Sequence, residues 1–317
     1  MKTLQELLSD GTRYDPHYLP SMNSDHMPMT LCAISGLGGD DETCNIYQDD
    51  YKKILREIRP EAPIRNWRDG IGKSEMYPSL LSYFRVQVSK HGIESTVAQY
   101  LPELVGSLAM DAFHPIIRLG YAIDFQSENE TAAALAYVVS CHQEVPVNAD
   151  GLLEFERCMQ QQVSAGPRTF SDSRFFARCI GELLHSDDYP IGIASGLNEC
   201  ASVALDVYRS TRNFFALHMV TATQAIRMCS GVIEERLALA ALTGALLAAH
   251  QAVGSPGFDR ENPLPIPDHL DREHIYKYVW ACLSEYRQYG DARYTEEIRG
   301  FRDKGLVPAW CAREEIP

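Results

Sequence analysis

Apolar residues recur along this chain at three- and four-residue intervals, and a spacing of that kind commits a chain to amphipathic helices. Tyr47, Tyr51, Ile54, Leu55 and Ile58 form one stripe; Tyr77, Leu80, Leu81, Phe84 and Val88 a second; Ile93, Val97, Leu101, Leu104 and Val105 a third. The pattern then predicts helices over Thr131–His142, Leu152–Gln162, Ser173–His185, Glu199–Arg209, Asn213–Met228, Glu234–His250 and Arg272–Tyr289. Strand-like alternation is scarce. Proline and glycine punctuate the gaps, as in Arg59-Pro60-Glu61-Ala62-Pro63 and Gly254-Ser255-Pro256-Gly257. The expectation is an all-α protein. No linker or internal repeat divides it, and Glu261–Pro267 reads as an extended loop that positions the helix after it. Residues 1–317 are therefore expected to form a single multi-helix domain with an internal active-site cavity.

Composition narrows the function classes. With 29 basic against 43 acidic residues the formal net charge is −14. No basic stripe is interleaved with aromatics, so nucleic acid is not an expected partner. The longest uncharged run, Leu237 to Phe258, is interrupted by Gly244, His250, Gln251 and Pro256, which argues against a membrane span. Glu6 and Asp10 come early and no apolar run precedes them, so the start is not read as a signal peptide and a cytoplasmic location is expected. Nine cysteines, none spaced Cys-x-x-Cys, read as buried, reduced thiols.

Four histidines stand in segments with few charges: Asp25-His26-Met27-Pro28, Phe113-His114-Pro115, Leu217-His218-Met219 and Glu273-His274-Ile275-Tyr276-Lys277. Drawn from distant segments, they suggest a shared internal site, and imidazole is the side chain a buried transition metal most often recruits. Each also has an ordinary reading: His26 as a cap or surface residue, His114 and His218 as core histidines satisfied locally, His274 on a helix surface. Lys277 lies three residues after His274, so on a helix the two share a face; its ordinary reading is a surface lysine paired with Glu273. His142 reads as a helix end. His250 closes an alanine-rich helix, where a cation suits the helix dipole. His17, His91, His185 and His269 sit in polar or loop contexts.

Other chemistries find no support. Ser35-Gly36-Leu37-Gly38-Gly39 is not a dinucleotide fingerprint, and there is no Walker loop, His-Glu-x-x-His or Gly-x-Ser-x-Gly. Glu-x-x-His occurs once, at Glu182 to His185, where a ferritin-like di-iron bundle needs it twice.

Taken together, the segments resemble the questin oxidase-like family, met in fungal aromatic polyketide pathways. The resemblance runs through His26-Met27-Pro28-Met29, Trp67 with Gly70 and Gly72, and His114-Pro115-Ile116-Ile117-Arg118-Leu119-Gly120-Tyr121-Ala122. It continues at Ala134-Leu135-Ala136-Tyr137, His218-Met219-Val220-Thr221 and His274-Ile275-Tyr276-Lys277, in family order over roughly residues 20 to 300. The chain looks shorter than the fungal enzymes.

That resemblance implies an oxygenase that opens an anthraquinone-type ring, in some members by a Baeyer–Villiger-like oxidation. It also implies a mononuclear non-haem iron held by histidines and a carboxylated lysine. Carried over by position, the ligands are His26, His114, His218 and His274, with Lys277 as the modified lysine. Such a set suits Fe(II), while ligand type alone leaves zinc, nickel and copper open. Dioxygen is the implied co-substrate, with an external reductant such as NADPH allowed. The expected partner is an aromatic small molecule, and nothing sets the oligomeric state. Arg118, Tyr121 and Tyr276 are the expected substrate-handling residues, with Phe113, Phe215 and Trp67 as further pocket walls; Arg118 also reads as half of a buried ion pair. Two rival functions remain: a metal-dependent hydrolase or lyase on the same histidines, and a helical protein without catalysis.

Overall fold

A computed structural model describes the chain apart from residues 19–22, 144–146, 148–152, 173–175, 187–188, 313–315 and 317. The protein is all-α. The helices are α1 (Leu4–Gly11), α2 (Met27–Gly36), α3 (Asp41–Tyr51), α4 (Tyr77–His91), α5 (Ile93–Tyr100), α6 (His114–Asp124) and α7 (Glu128–Cys141). They continue as α8 (Phe155–Ala165), α9 (Phe176–Leu184), α10 (Leu197–Thr211), α11 (Phe214–Met228), α12 (Glu235–Ala252), α13 (Arg272–Tyr289) and α14 (Ala292–Asp303). Two short antiparallel strands, β1 (His17–Tyr18) and β2 (Asn23–Ser24), pair His17 with Ser24 and Tyr18 with Asn23. Apolar residues from Leu7 to Ile316 join one hydrophobic cluster. Among the described residues, no helix is long and apolar enough to cross a membrane.

Local chemistry sets several boundaries. The Asn213 side chain accepts from the amides of Phe215 and Ala216 at the start of α11, and Glu234 does the same for Arg236 and Leu237 at the start of α12. Helix α13 runs over the span its periodicity predicts and ends at Gly290, whose φ of 68° is a left-handed cap suited to glycine. Other expectations need correction. The Tyr47–Ile58 stripe is helical only to Tyr51; a 3-10 turn follows and the chain is extended at Leu55. The third stripe leaves the α-helix at Tyr100, just before Pro102. Leu152 and Ser173, expected helix starts, lie outside the described residues.

Four helices enclose the middle of the molecule. Helix α2 packs on α6, α6 on α11, α11 on α13, and α13 back on α2, which closes a ring of four. Small residues allow the close approaches. A Cβ on Gly120 would lie 2.6 Å from the Ala225 Cα where α6 meets α11. A Cβ on Gly36 would lie 2.7 Å from the Trp280 ring where α2 meets α13.

Candidate metal centre

Each helix of that ring presents a histidine at its N-terminal end. His26 is the residue before α2, His114 opens α6, His274 is third in α13 and His218 is fifth in α11. The four N-termini therefore open onto one place, and all four imidazoles are buried. Their ring centroids lie 4.6 Å apart for His26–His114, 4.8 Å for His114–His218, 5.1 Å for His218–His274 and 4.5 Å for His274–His26. Ligand atoms of His26, His114 and His274 all fall within 4.8 Å of one another. Side chains from residues 26 and 274 thus share a space about one ion wide.

Hydrogen bonding prepares these rings for a ligand role. His114 Nδ1 donates to the Asp111 carbonyl, and His218 Nδ1 donates to the Phe214 carbonyl at 3.0 Å. In each case the proton sits on Nδ1 and Nε2 keeps its lone pair. Among the described residues, Nε2 of His114 and of His218 and both nitrogens of His274 are buried without a hydrogen-bond partner. A buried polar atom left alone costs about 1–3 kcal/mol. An ion would satisfy Nε2 of His114, Nε2 of His218 and one nitrogen of His274 together, since a single ring can offer it only one.

Electrostatics agree. Burial pushes all four histidines below their ordinary range, His218 to about 3, with the Lys277 charge adding to the effect. The helix N-termini carry partial positive charge and disfavour imidazolium further. Neutral imidazole is the form that binds metal. Lys277, one turn beyond His274, is 1% exposed and its Nζ contacts His26 Nδ1. Burial lowers its pKa to about 7, against the opposing pull of Glu273 and Asp25. Asp25 is also buried; burial raises its carboxyl to about 7 despite nearby Arg118, and its Oδ2 has no partner among the described residues.

Above the histidines lies a cavity of about 590 Å³. His26, His114 and His274 line it, with Tyr18, Phe176, Phe214 and Phe215 as apolar wall and His17, Asp111 and Cys141 as polar wall. Phe176 and Phe215 stack 4.7 Å apart, and Phe214 meets His274 edge-on at 4.5 Å. His218 and Lys277 are not part of the lining and sit behind it.

The expected substrate-handling residues lie elsewhere. Arg118 Nε and Nη2 donate to the two Glu130 oxygens at 2.8 and 3.1 Å, both residues buried, so the ion-pair reading describes it. Tyr121 points to α13, where its hydroxyl donates to the Lys277 carbonyl at 3.3 Å. Tyr276 stacks on Trp310, and Trp67 lies edge-on against Tyr100. Phe113 is buried at 6.4 Å from Phe176, and of the expected walls only Phe215 reaches the cavity. His250 is corrected too: buried between Gln162 and the Pro256 carbonyl, its pKa lowered by burial, it is no exposed helix-end cation. His17 and Asp111 were not legible as site residues, because a polar loop histidine and a lone aspartate carry no motif.

A family model described as questin oxidase-like matches residues 23–188. The chain belongs to the questin oxidase-like family. The match includes His26 and His114 and ends before His218, His274 and Lys277. Questin oxidase of Aspergillus terreus is 25% identical over 208 residues, 59% of this chain and 46% of that protein. Baeyer-Villiger oxidase ptaJ of Pestalotiopsis fici is 30% identical over 158 residues, 45% of this chain and 34% of its own. Oxidoreductase AflY of Aspergillus parasiticus is 30% identical over 123 residues, 35% and 25% of the two chains. This family member therefore spans less than half the length of these curated relatives in its matches.

Proposed function

We propose that His26, His114, His218 and His274 hold one transition-metal ion, and that the protein is an oxygenase acting on an aromatic, polyketide-like small molecule. The observation that carries the reading is the set of buried imidazole nitrogens, unpartnered and directed at a common space beneath a cavity with aromatic walls. Relatives named as oxidases and Baeyer-Villiger oxidases support the reaction class. Iron(II) is the proposed metal, since a nitrogen-rich set with one anionic oxygen suits it. Bound there, it would supply dioxygen chemistry that no protein side chain provides.

The fifth ligand is proposed to be Lys277 as its carbamate. Buried beside His26 with its pKa lowered to about 7, the lysine has neutral amine to add to carbon dioxide: an N–C bond forms as a C=O π bond opens, and a proton leaves. The anion would gain from the four helix N-termini. The chain's own contribution to turnover is then binding and exclusion. Phe176, Phe214 and Phe215 offer flat apolar surface to a ring system and displace water from its faces.

Metal analysis of protein purified without chelator or histidine tag tests the first claim, with about one equivalent per chain expected. Dioxygen uptake with hydroxyanthraquinones, with and without NADPH, tests the second. Protein that stays metal-free after anaerobic Fe(II) loading would end the metal reading. Metal without dioxygen uptake would favour a hydrolase or lyase.

A further inference from the structure

One wall of the cavity carries polar chemistry that the metal does not use. The Asp111 carboxylate accepts three hydrogen bonds on Oδ2: from His17 Nε2 at 2.8 Å, from the Tyr137 hydroxyl at 3.1 Å and from the Cys141 thiol at 3.1 Å. Tyr137 is itself held by Ser24 at 2.9 Å. The donors come from β1 and α7, and the acceptor from the turn before α6. Three donors converging on one oxygen favour the ionised form of Asp111. It is a carboxylate, and a carboxylate only accepts. The His17 proton facing it therefore sits on Nε2, and in the neutral ring this leaves Nδ1, which enters none of these bonds, as the acceptor. Burial favours the thiol form of Cys141, whose hydrogen is donated to Asp111, so the trio satisfies its own hydrogen bonds.

The backbone at this point is strained. Asp111, Ala112 and Phe113 have φ of 47°, 52° and 66°, three consecutive non-glycine residues in the left-handed region. Such a run costs free energy and persists only where its surroundings enforce it. Its effect here is to give Asp111 two tasks at once. The carbonyl receives His114 Nδ1 at the metal centre, while the carboxylate receives His17 at the cavity wall.

We propose that His17 accepts the proton of an acidic hydroxyl, a phenol or enol, on the molecule that fills the cavity, and that Asp111 is a positioning residue serving both His17 and His114. The step balances without a co-reactant: the substrate O–H breaks, an N–H forms at Nδ1, and the electron pair stays on oxygen. A phenolate ring is richer in electrons and easier to oxidise than the phenol. The inference rests on the cavity being the substrate site, and it narrows that substrate to ionisable hydroxyaromatics.

The test uses purified full-length protein and 4-nitrophenol, whose ionised form absorbs visible light, at a pH where the free probe is mostly neutral. Wild-type protein should bind it as the phenolate. His17→Ala should reduce the bound ionised fraction at least tenfold while metal content stays within twofold. Asp111→Asn, which keeps the carbonyl for His114, should reduce it at least threefold. A melting-temperature shift in His17→Ala with the phenolate band intact would make His17 structural and overturn the proposal, as would a wild-type protein that gives no band. Chelator treatment separates this claim from the oxygenase reading. A band that survives metal removal and is lost in His17→Ala supports His17 even if no dioxygen is consumed. A band lost with the metal and kept in His17→Ala assigns ionisation to the ion and ends the proposal.

Discussion

Two buried polar regions meet helix α6 one turn apart, at His114 and at Arg118, and they are built differently. At Arg118 the guanidinium faces Glu130 with both carboxylate oxygens occupied, a net-neutral pair that leaves Nη1 of Arg118 as its one unpartnered atom among the described residues. At His114 four imidazoles meet, with Nε2 of His114 and His218 and both nitrogens of His274 unpartnered among the described residues. Burial is equal in the two places, so burial does not mark a functional site. Three histidines with open nitrogens gathered in one space do, because folding alone gains nothing from collecting such groups.

The largest effect should come from the histidines, and it should fall on metal and turnover rather than on folding. His274→Ala is expected to lower metal occupancy at least tenfold and turnover at least a thousandfold. His218→Leu in chelator-treated protein should be neutral or stabilising, since it removes an unsatisfied buried nitrogen. Metal analysis and thermal melts of both forms check this; a large loss of apo stability would put the histidines in the structural class. The ion pair should behave in the reverse sense. Arg118→Met leaves a buried Glu130 charge and should cost about 3–5 kcal/mol, with metal per folded chain unchanged. Arg118→Met with Glu130→Leu should recover most of that loss.

Acidification sharpens the contrast. The four site histidines stay neutral in the folded protein because burial lowers their pKa, while in the unfolded chain they protonate near pH 6.5. As pH falls below that value the unfolded state binds up to four more protons and stability is lost. Asp25 works the other way: folded it takes its proton near pH 7, so between about 7 and 4 it returns one proton's worth of stability. From these five groups alone the net of three protons gives a loss of about 4 kcal/mol per pH unit below pH 6, offset in part by the raised carboxyls of Glu273, Glu285, Asp124 and Asp206 and increased by His250. Lys277, lowered to about 7, acts only above that pH, where stability falls as pH drops from about 10.5 to 7. Denaturant melts of chelator-treated protein between pH 7 and 5 measure the slope, and a flat profile would mean the imidazoles are not buried and neutral.

Helix-on-helix geometry comes next in size. Gly120→Ala forces α6 and α11 apart at Ala225 and should cost about 1–3 kcal/mol as overpacking, with weaker metal binding because His114 and His218 ride on those helices. Neither helix-pair contact is legible in the sequence. Length makes α11, α12 and α13 readable: at 15, 18 and 18 residues their apolar pattern runs on long enough to be recognised, although their middles are buried all round. The pattern fails in the shorter helices buried all round, as from Met27 to Ile34 in α2 and from His114 to Ala122 in α6. It also fails for α14, whose sequence is strongly polar, and for α1, although Thr3 and Glu6 form a capping box that marks its start. The four histidines and Lys277 are legible because they stand in distinctive local contexts. His17 is not, because its partner Asp111 is 94 residues away and only the folded turn before α6 joins them.

The smallest effect tests how residues near the ligands in sequence should be read. Tyr121 belongs to the segment that begins at His114, yet seven residues of helix carry it away from the cavity to α13. Its hydroxyl donates one long bond, 3.3 Å, to the Lys277 carbonyl. Tyr121→Phe removes that bond and leaves the ring, so it should cost about 0.5–1.5 kcal/mol and change turnover less than threefold. A tenfold or greater fall in turnover with stability intact would show that the α6–α13 contact controls how Lys277 meets His26. Helix packing would then belong to the metal centre's chemistry, and the division between paired and open regions would have to be redrawn to include it.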